Sequence, residues 1–99
     1  MSSATRVVMV NYNAGDALLR SVAAVLATRE PLHLVVADNA STDDSCGRLR
    51  NLYGRNQRLE ILENGQNLGF ARAVNACASN APEPYLLILN PDCEVFPDT

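Results

Sequence analysis

Four short apolar runs, each ending in a cluster of polar residues, constrain the fold of this chain more than any other feature. The runs cover residues 6–10, 32–37, 59–62 and 85–89 and are rich in Val, Ile and Leu. They do not alternate cleanly with polar residues, which is typical of strands buried on both faces of a parallel sheet. Parallel strands end at one edge, so the polar clusters are expected where open α/β sheets bind ligands.

Helical patterns separate these runs. Residues 15–28, 42–52 and 68–79 carry apolar side chains at helical spacing, and Pro31 and Pro82 follow the first and third patterns. The resulting order, β-α-β-α-β-α-β, predicts right-handed crossovers and a parallel sheet. We therefore expect a Rossmann-like, three-layer α/β/α fold with a mainly parallel four-stranded sheet in the order 3-2-1-4.

Composition and charge exclude several classes of function. The chain has 99 residues, which corresponds to one domain or part of one, and its net charge of -3 provides no basic surface for nucleic acid. Its cysteines, Cys46, Cys77 and Cys93, match neither a disulfide framework nor a zinc pattern. No apolar stretch reaches the ~20 residues that span a bilayer. We expect a cytoplasmic domain with reduced thiols. The sequence leaves open whether a longer parent protein associates with a membrane.

The cluster after the fourth run suggests a metal site. In extended backbone, Asn90, Asp92 and Glu94 point to the same side and bring an amide and two carboxylates together. Such oxygen ligands suit Mg²⁺ or Mn²⁺, and Mg²⁺ completes its shell with water and phosphate. The alternative, which this pattern alone favours, is a solvated turn that closes the strand at Pro91.

The clusters after the second and third runs offer two further candidates. Asp38 directly follows a strand and can accept a hydrogen bond from a base N–H or a ribose hydroxyl. Residues 41–45 are better explained as the cap and first turn of the next helix. Arg72 lies one turn into the third helix and can reach a diphosphate, although a surface role explains it equally well.

Together these clusters resemble the N-terminal half of family 2 glycosyltransferases, which have the GT-A fold. Residues 6–13 resemble the first strand and nucleotide-contacting loop of that family, and residues 36–43 resemble the end of its second strand. Residues 63–75 resemble its N-x-G-x-x-x-A-x-N helix start, and the L-N-P-D sequence at 89–92 resembles the D-x-D strand end of the rhamnosyltransferase-like branch. The motifs keep their order and spacing across nearly the whole chain.

The resemblance implies transfer of a sugar from a nucleoside-diphosphate donor with inversion at the anomeric carbon, in cell-wall or polysaccharide biosynthesis. Asp92 would bind a divalent metal, Mn²⁺ or Mg²⁺, that bridges the diphosphate and stabilises the leaving group. Tyr12 and Asp38 would hold the base and ribose. The L-N-P-D form hints at dTDP-rhamnose as the donor. The full set of expected donor-binding residues is Asn11, Tyr12, Asn13, Asp38, Asn39, Arg72 and Asn90.

The chain departs from the family pattern in two residues and in length. Asn90 stands where many relatives have the first Asp of D-x-D, and Asn39 stands where many have a second Asp. The family's catalytic base and acceptor-binding elements lie beyond the position of Thr99. We therefore expect residues 1–99 to be the donor-binding portion of a truncated domain, inactive alone, whose full-length form uses a saccharide or lipid-linked acceptor.

Truncation would also leave the fourth strand without its neighbours, so self-association through an exposed apolar surface is expected. Two other classes of function stay as alternatives to a transferase. One is a nucleotide-binding module of α/β fold without catalysis. The other is a signalling receiver, but receivers carry paired acids after the first strand, where this chain has Asn-Tyr-Asn at 11–13. No G-x-G-x-x-G or P-loop pattern is present.

Overall fold

The computed structural model describes residues 5–29, 31–79 and 81–91. Within these ranges the elements are β1 (Thr5–Asn11), α1 (Asp16–Leu26), β2 (Leu32–Asp38), α2 (Ser45–Tyr53), β3 (Leu59–Glu63), α3 (Phe70–Ala78) and β4 (Tyr85–Leu89). All strand pairings are parallel, and the strands lie in the order β3-β2-β1-β4. The α/β fold and strand order predicted from the apolar runs are confirmed.

Helices α1 and α2 cover one face of the sheet. Leu18, Val22 and Val25 recur at helical spacing on the buried side of α1, and Leu49 is fully buried on α2. Burying a side chain of this size contributes about 1.5–3 kcal/mol relative to leaving it exposed. These helices pack against alternate residues of the two central strands, which are Val7, Met9, Leu34 and Val36.

Helix α3 covers the opposite face and completes the three layers. Its buried residues, Ala73, Val74 and Cys77, pack against Val8, Val35 and Ala37. Burial raises the pKa of the Cys77 thiol to about 11. Both described cysteines, Cys46 and Cys77, are free thiols.

Helix α2 begins later than its sequence pattern indicates. It starts at Ser45 rather than at residue 42, and the residue before it, Asp44, makes no side-chain cap hydrogen bond. The expectation that Ser41 or Thr42 caps this helix is therefore wrong. Ser41 Oγ donates instead to Asp38 at the end of β2, and the Thr42 backbone N–H donates to Asn13 in the loop after β1.

A charged network closes the amino-terminal edge of the sheet. Arg6 is buried, and its Nε donates to Glu83 Oε1 at 2.7 Å while its Nη1 donates to the Cys77 carbonyl at 2.8 Å. His33 Nδ1 lies 3.5 Å from Glu83 Oε2, and its Nε2 lies 3.7 Å from Glu60 Oε1. Burial opposes ionisation of Glu83, but the hydrogen bond from Arg6, a backbone hydrogen bond and the charges of Arg6 and His33 together outweigh it and lower the pKa of this carboxyl.

Strand β4 forms one edge of the sheet and is poorly covered. It pairs with β1 from Thr5↔Tyr85 to Met9↔Leu89, and no described residue forms a strand on its other side. Alternate side chains of β4 point to opposite faces, so both faces carry exposed apolar groups. These exposed residues are Tyr85, Leu86, Leu87 and Ile88.

Candidate functional site

The polar residues that follow the strands meet at the carboxyl edge of the sheet, as predicted. Asn11 is the register partner of Asp38, and Asp38 is that of Glu63. The ladder continues one residue further, because Asn39 N donates to the Asn11 carbonyl at 2.9 Å and Asn64 N donates to the Asp38 carbonyl at 2.9 Å. The ends of three strands thus form one continuous polar rim.

Asn11 is fully buried beneath this rim. Its Nδ2 lies 2.8 Å from Asp38 Oδ1, 2.9 Å from Ser45 Oγ and 3.1 Å from Ser41 Oγ. Its Oδ1 accepts a hydrogen bond of 3.2 Å from the backbone N–H of Ala14. Both polar atoms of the amide therefore bond within the protein, and the side chain orients the carboxylate of Asp38.

Asp38 is only 6% exposed, yet its carboxylate keeps room for another hydrogen bond. Its Oδ1 accepts from Asn11 and from Ser41 Oγ, the latter at 2.6 Å. Its Oδ2 accepts only the Ser41 backbone N–H, at 3.2 Å, among the described residues. An ionised carboxylate has about four acceptor positions, so Oδ2 can accept one further donor.

Two loops beside Asp38 are clamped together by side-chain hydrogen bonds. Asn13 Oδ1 accepts from the backbone N–H groups of Thr42 at 2.7 Å and Asp43 at 3.1 Å. Asp43 Oδ2 accepts from Gly15 N at 3.1 Å. Hydrogen bonds from the side chain and backbone of Ser45 lower the pKa of Asp43. The clamp joins the loop after β1 to the loop before α2 beside Asp38.

Four predicted site residues are exposed, and of these Asn13 is already used in the loop clamp, which leaves Tyr12, Arg72 and Asn90. Tyr12, at 52% exposure, follows β1 directly. Arg72 lies in the first turn of α3 and has no ion-pair or hydrogen-bond partner within the described ranges. Asn90 follows β4, next to the end of β1 in the sheet. These three residues are exposed and lie at or near the elements that end at the rim.

Asn39 is buried, like Asn11, and its side chain points away from solvent. Its Oδ1 accepts from Asn64 Nδ2 at 2.7 Å, and its Nδ2 donates to the Gly69 carbonyl at 3.2 Å. The partners of Asn11 and Asn39 were missed at the sequence level. Ser45 was interpreted only as part of a helix start, and Asn64, within the motif at residues 63–75, was assigned no partner.

The predicted metal ligand, Asp92, lies outside the described residues. Pro91, just before it, is buried, and its carbonyl accepts a hydrogen bond from Ser21 Oγ on α1. Ser21 was also missed, although a serine on the apolar stripe of α1 is a signal that a buried partner exists. Across residues 5–29, 31–79 and 81–91, no three His, Cys, Asp or Glu side chains come together as a metal-binding group.

Sequence comparison identifies the family. The model of Glycosyl transferase family 2 matches residues 6–99. The chain belongs to glycosyltransferase family 2. The family 2 chain is 34% identical over 109 residues to N-acetylglucosaminyl-diphospho-decaprenol L-rhamnosyltransferase of Mycobacterium tuberculosis, covering 98% of this chain and 34% of that protein. It is 35% identical over 85 residues to succinoglycan biosynthesis protein ExoU of Rhizobium meliloti, covering 86% of this chain and 25% of that protein. It therefore spans about a third or less of these relatives' length.

Structural comparison confirms the GT-A fold of this family 2 chain. It superposes on S. aureus TarS 1-349 with a TM-score of 0.84 at 18% identity, covering 95% of this chain and 29% of TarS 1-349. It superposes on the mannosyltransferase PcManGT of Pyrobaculum calidifontis with a TM-score of 0.84 at 22% identity, covering 95% of this chain and 29% of PcManGT. The resemblance drawn from the motifs is thus confirmed.

Proposed function

We propose that residues 1–99 are the donor-binding portion of a glycosyltransferase domain and bind a nucleoside-diphosphate sugar at the carboxyl edge of the sheet. The observation that carries this proposal is the carboxylate of Asp38. Asn11 and Ser41 hold it in place, and it keeps one acceptor position at the rim. A buried, oriented carboxylate with spare acceptor capacity suits recognition of a base N–H or a ribose hydroxyl.

The exposed side chains around Asp38 complete the donor site. Tyr12 offers an aromatic face beside the base, and Arg72 offers a guanidinium for the diphosphate. Asn13 serves the site mainly through the loop clamp, since its side-chain oxygen is bonded to Thr42 and Asp43. The solved complexes of TarS 1-349 with UDP-GlcNAc and of PcManGT with GDP-Man support a nucleotide-sugar ligand.

The donor diphosphate is held through a divalent metal, Mn²⁺ or Mg²⁺. Of the expected metal-site residues, the structure describes Asn90, whose exposed amide can offer a neutral oxygen but no charge. The carboxylate needed for a hard cation therefore comes from Asp92. When bound, the metal stabilises negative charge on the leaving diphosphate. The Mn²⁺ in the PcManGT complex supports this proposal.

The full-length protein transfers the sugar, with rhamnose the favoured candidate, to a saccharide or lipid-linked acceptor with inversion, and its catalytic base lies beyond Thr99. The relative named a rhamnosyltransferase acting on a decaprenol-linked substrate supports both the sugar and the acceptor class. We place the protein in the cytoplasm, at the membrane where the acceptor is lipid-linked. No helix in the described part of the chain has the length and apolar composition to cross a bilayer.

Calorimetric titration of the 99-residue chain with dTDP, UDP and GDP, with and without Mn²⁺, tests the donor site. We expect Mn²⁺-dependent binding that Asp92→Ala abolishes. Asp38→Asn removes the charge from the acceptor, which should weaken binding about ten- to a hundredfold, as for a lost charged hydrogen bond. Glu60→Gln is the matched control, because Glu60 lies near the opposite edge and faces His33.

Three results would change the assignment. Binding that does not depend on metal would favour the alternative, a nucleotide-binding module without catalysis. Equal effects of Asp38→Asn and Glu60→Gln would remove Asp38 from the site. Absence of binding to all three nucleotides would contradict the proposal as a whole.

The same chain is also proposed to self-associate through β4. Its apolar side chains are exposed on both faces, and its outer backbone edge has no strand partner within the described residues. Such an edge can pair with the same strand of a second copy.

A further inference from the structure

The start of α3 is attached to the strand ends by the side chain of Asn39. This residue is only 2% exposed, so its amide has no direct access to a ligand at the rim. Both polar atoms are bonded within the protein, with Asn64 Nδ2 at 2.7 Å from Oδ1 and the Gly69 carbonyl at 3.2 Å from Nδ2. The three bonded groups come from the ends of β2 and β3 and from the residue before α3.

The Gly69 carbonyl is where the helix begins. It accepts the first helical hydrogen bond, from Ala73 N at 3.3 Å, as well as the bond from Asn39. Gly69 has a φ of +78°, which a residue with a Cβ adopts only with strain. The chain therefore makes a sharp turn into α3 at this point, and Asn39 fixes where the turn lies. Arg72 is three residues further on, within the same first turn.

A backbone hydrogen bond also fixes the position of Asn39. Its N–H donates to the Asn11 carbonyl at 2.9 Å, so Asn39 continues the β1–β2 ladder directly beside Asp38. On the other side, Asn64 N donates to the Asp38 carbonyl at 2.9 Å. Asp38 and Asn39 are neighbours in the chain, Asn39 Nδ2 donates to the Gly69 carbonyl at 3.2 Å, and that carbonyl accepts from Ala73 N, the amide directly after Arg72.

We infer that Asn39 is a positioning residue, which sets the first turn of α3 and thereby the guanidinium of Arg72 relative to Asp38, and that it does not contact the donor. This role deepens the proposed donor site and rests on it for its functional consequence. The anchoring of α3 itself can be measured without any ligand. The inference replaces the expectation that Asn39 binds the nucleotide directly.

The two side-chain hydrogen bonds of Asn39, to Asn64 and to the Gly69 carbonyl, form the anchor of α3. This anchor requires one donor and one acceptor on the same short side chain. An amide supplies both at neutral pH, whereas an ionised Asp could accept from Asn64 but would set an anion against the Gly69 carbonyl. A protonated Asp again has one O–H donor and one acceptor. The isosteric substitution Asn39→Asp therefore converts the anchor into one that works only at low pH.

The first measurement is hydrogen exchange of the chain without nucleotide, comparing wild type with Asn39→Asp at pH 8 and pH 5. At pH 8 we expect the amides of residues 73–75, the first that are bonded within the helix, to exchange about tenfold faster in the variant, after correction for intrinsic rates. At pH 5 the difference should shrink, because burial beside Asp38 favours the protonated Asp. Asn64→Ala removes only the hydrogen bond from Asn64 Nδ2 to Asn39 Oδ1 and should speed exchange about threefold. It replaces Asn39→Asp in this measurement if that variant does not fold.

The second measurement is nucleotide binding by Asn39→Asp, Arg72→Ala and the double variant. If Asn39 acts through Arg72, each single variant weakens binding at pH 8, while the double variant is no weaker than Arg72→Ala. Additive losses would mean that Asn39 contacts the donor, which overturns the inference. Unchanged exchange at residues 73–75 would overturn it too. If wild type binds no nucleotide, the donor site fails, and the exchange data still decide the anchor.

Discussion

Asn11, Asp38 and Asn39 differ in how much of each polar side chain remains for a ligand. Asn11 and Asn39 use both amide atoms on neighbouring groups, whereas Asp38 keeps an acceptor position. The sequence places all three at the edge, because each lies at or just after the end of a predicted strand. It does not reveal which side chains turn inward. That depends on Ser45, 34 residues from Asn11, and on Gly69, 30 residues from Asn39.

Residue Ala40 is held in the left-handed backbone region between Asn39 and the loop clamp. Its φ is +61°, where a side chain with a Cβ is strained and glycine is not. We expect Ala40→Gly to stabilise the chain by about 1 kcal/mol, the reverse of the loss seen when Ala replaces Gly at such positions. Urea denaturation of both proteins measures this difference.

The matched control for Ala40→Gly is Ala24→Gly. Ala24 lies within α1, where glycine should destabilise by about 1 kcal/mol. The two substitutions are chemically identical, so opposite signs identify backbone conformation as the cause. Destabilisation by both would contradict the conformation assigned to Ala40.

At the scale of elements, strands were predicted more closely than helix starts. The fourth strand matches its predicted range of 85–89, and β2 extends only one residue past 32–37. Dense apolar runs define such strands, and the ladder continues into the first polar residue as long as backbone partners exist. Helix α2 starts three residues after residue 42, and the hydroxyls of Ser41 and Thr42 contact Asn11 and Asn13 rather than the helix start. These contacts join residues about 30 positions apart and leave no local signal.

The ion pair between Arg6 and Glu83 links β1 to the segment that leads into β4. The pKa of Glu83 is lowered from 4.5 in the folded protein, so the carboxylate stabilises folding above pH 4.5, and this contribution is lost as pH falls further. We expect Glu83→Gln to lower the free energy of unfolding at pH 7 by about 2 kcal/mol, the range for a charged hydrogen bond. Its stability should then change less than that of wild type between pH 4.5 and pH 3.

Urea titrations at several pH values test the role of Glu83, with Glu63→Gln as the control. Glu63 also pairs with an arginine, since Arg50 Nη2 lies 2.9 Å away, but both side chains are at least half exposed. An exposed pair of this kind contributes less than about 1 kcal/mol. If both variants lose the same free energy of unfolding with the same pH dependence, the buried Arg6–Glu83 pair contributes no more to stability than an exposed pair.

For the molecule as a whole, the order of elements and motifs was enough to predict fold and family. Alternating strands and helices with right-handed crossovers allow few topologies, and the observed order is one of them. The family is specified by motifs that recur at the ends of successive strands, so their spacing carries the information. The solvent exposure of β4 depends instead on what packs beside it, which the 99 residues do not specify.

The open edge of β4 leads to the last prediction, which concerns association of whole chains. The strand has five residues, so edge pairing between two copies offers few hydrogen bonds and a small contact. We therefore expect weak association, seen by light scattering as a mass that rises with protein concentration. Leu86→Lys, at a position 48% exposed, places a charge on this edge and should keep the chain monomeric. Leu52→Lys on α2, at 63% exposure, is the control, because it removes an exposed leucine without altering the edge. A wild type that stays monomeric at high concentration, or equal effects of the two substitutions, would show that β4 does not drive association.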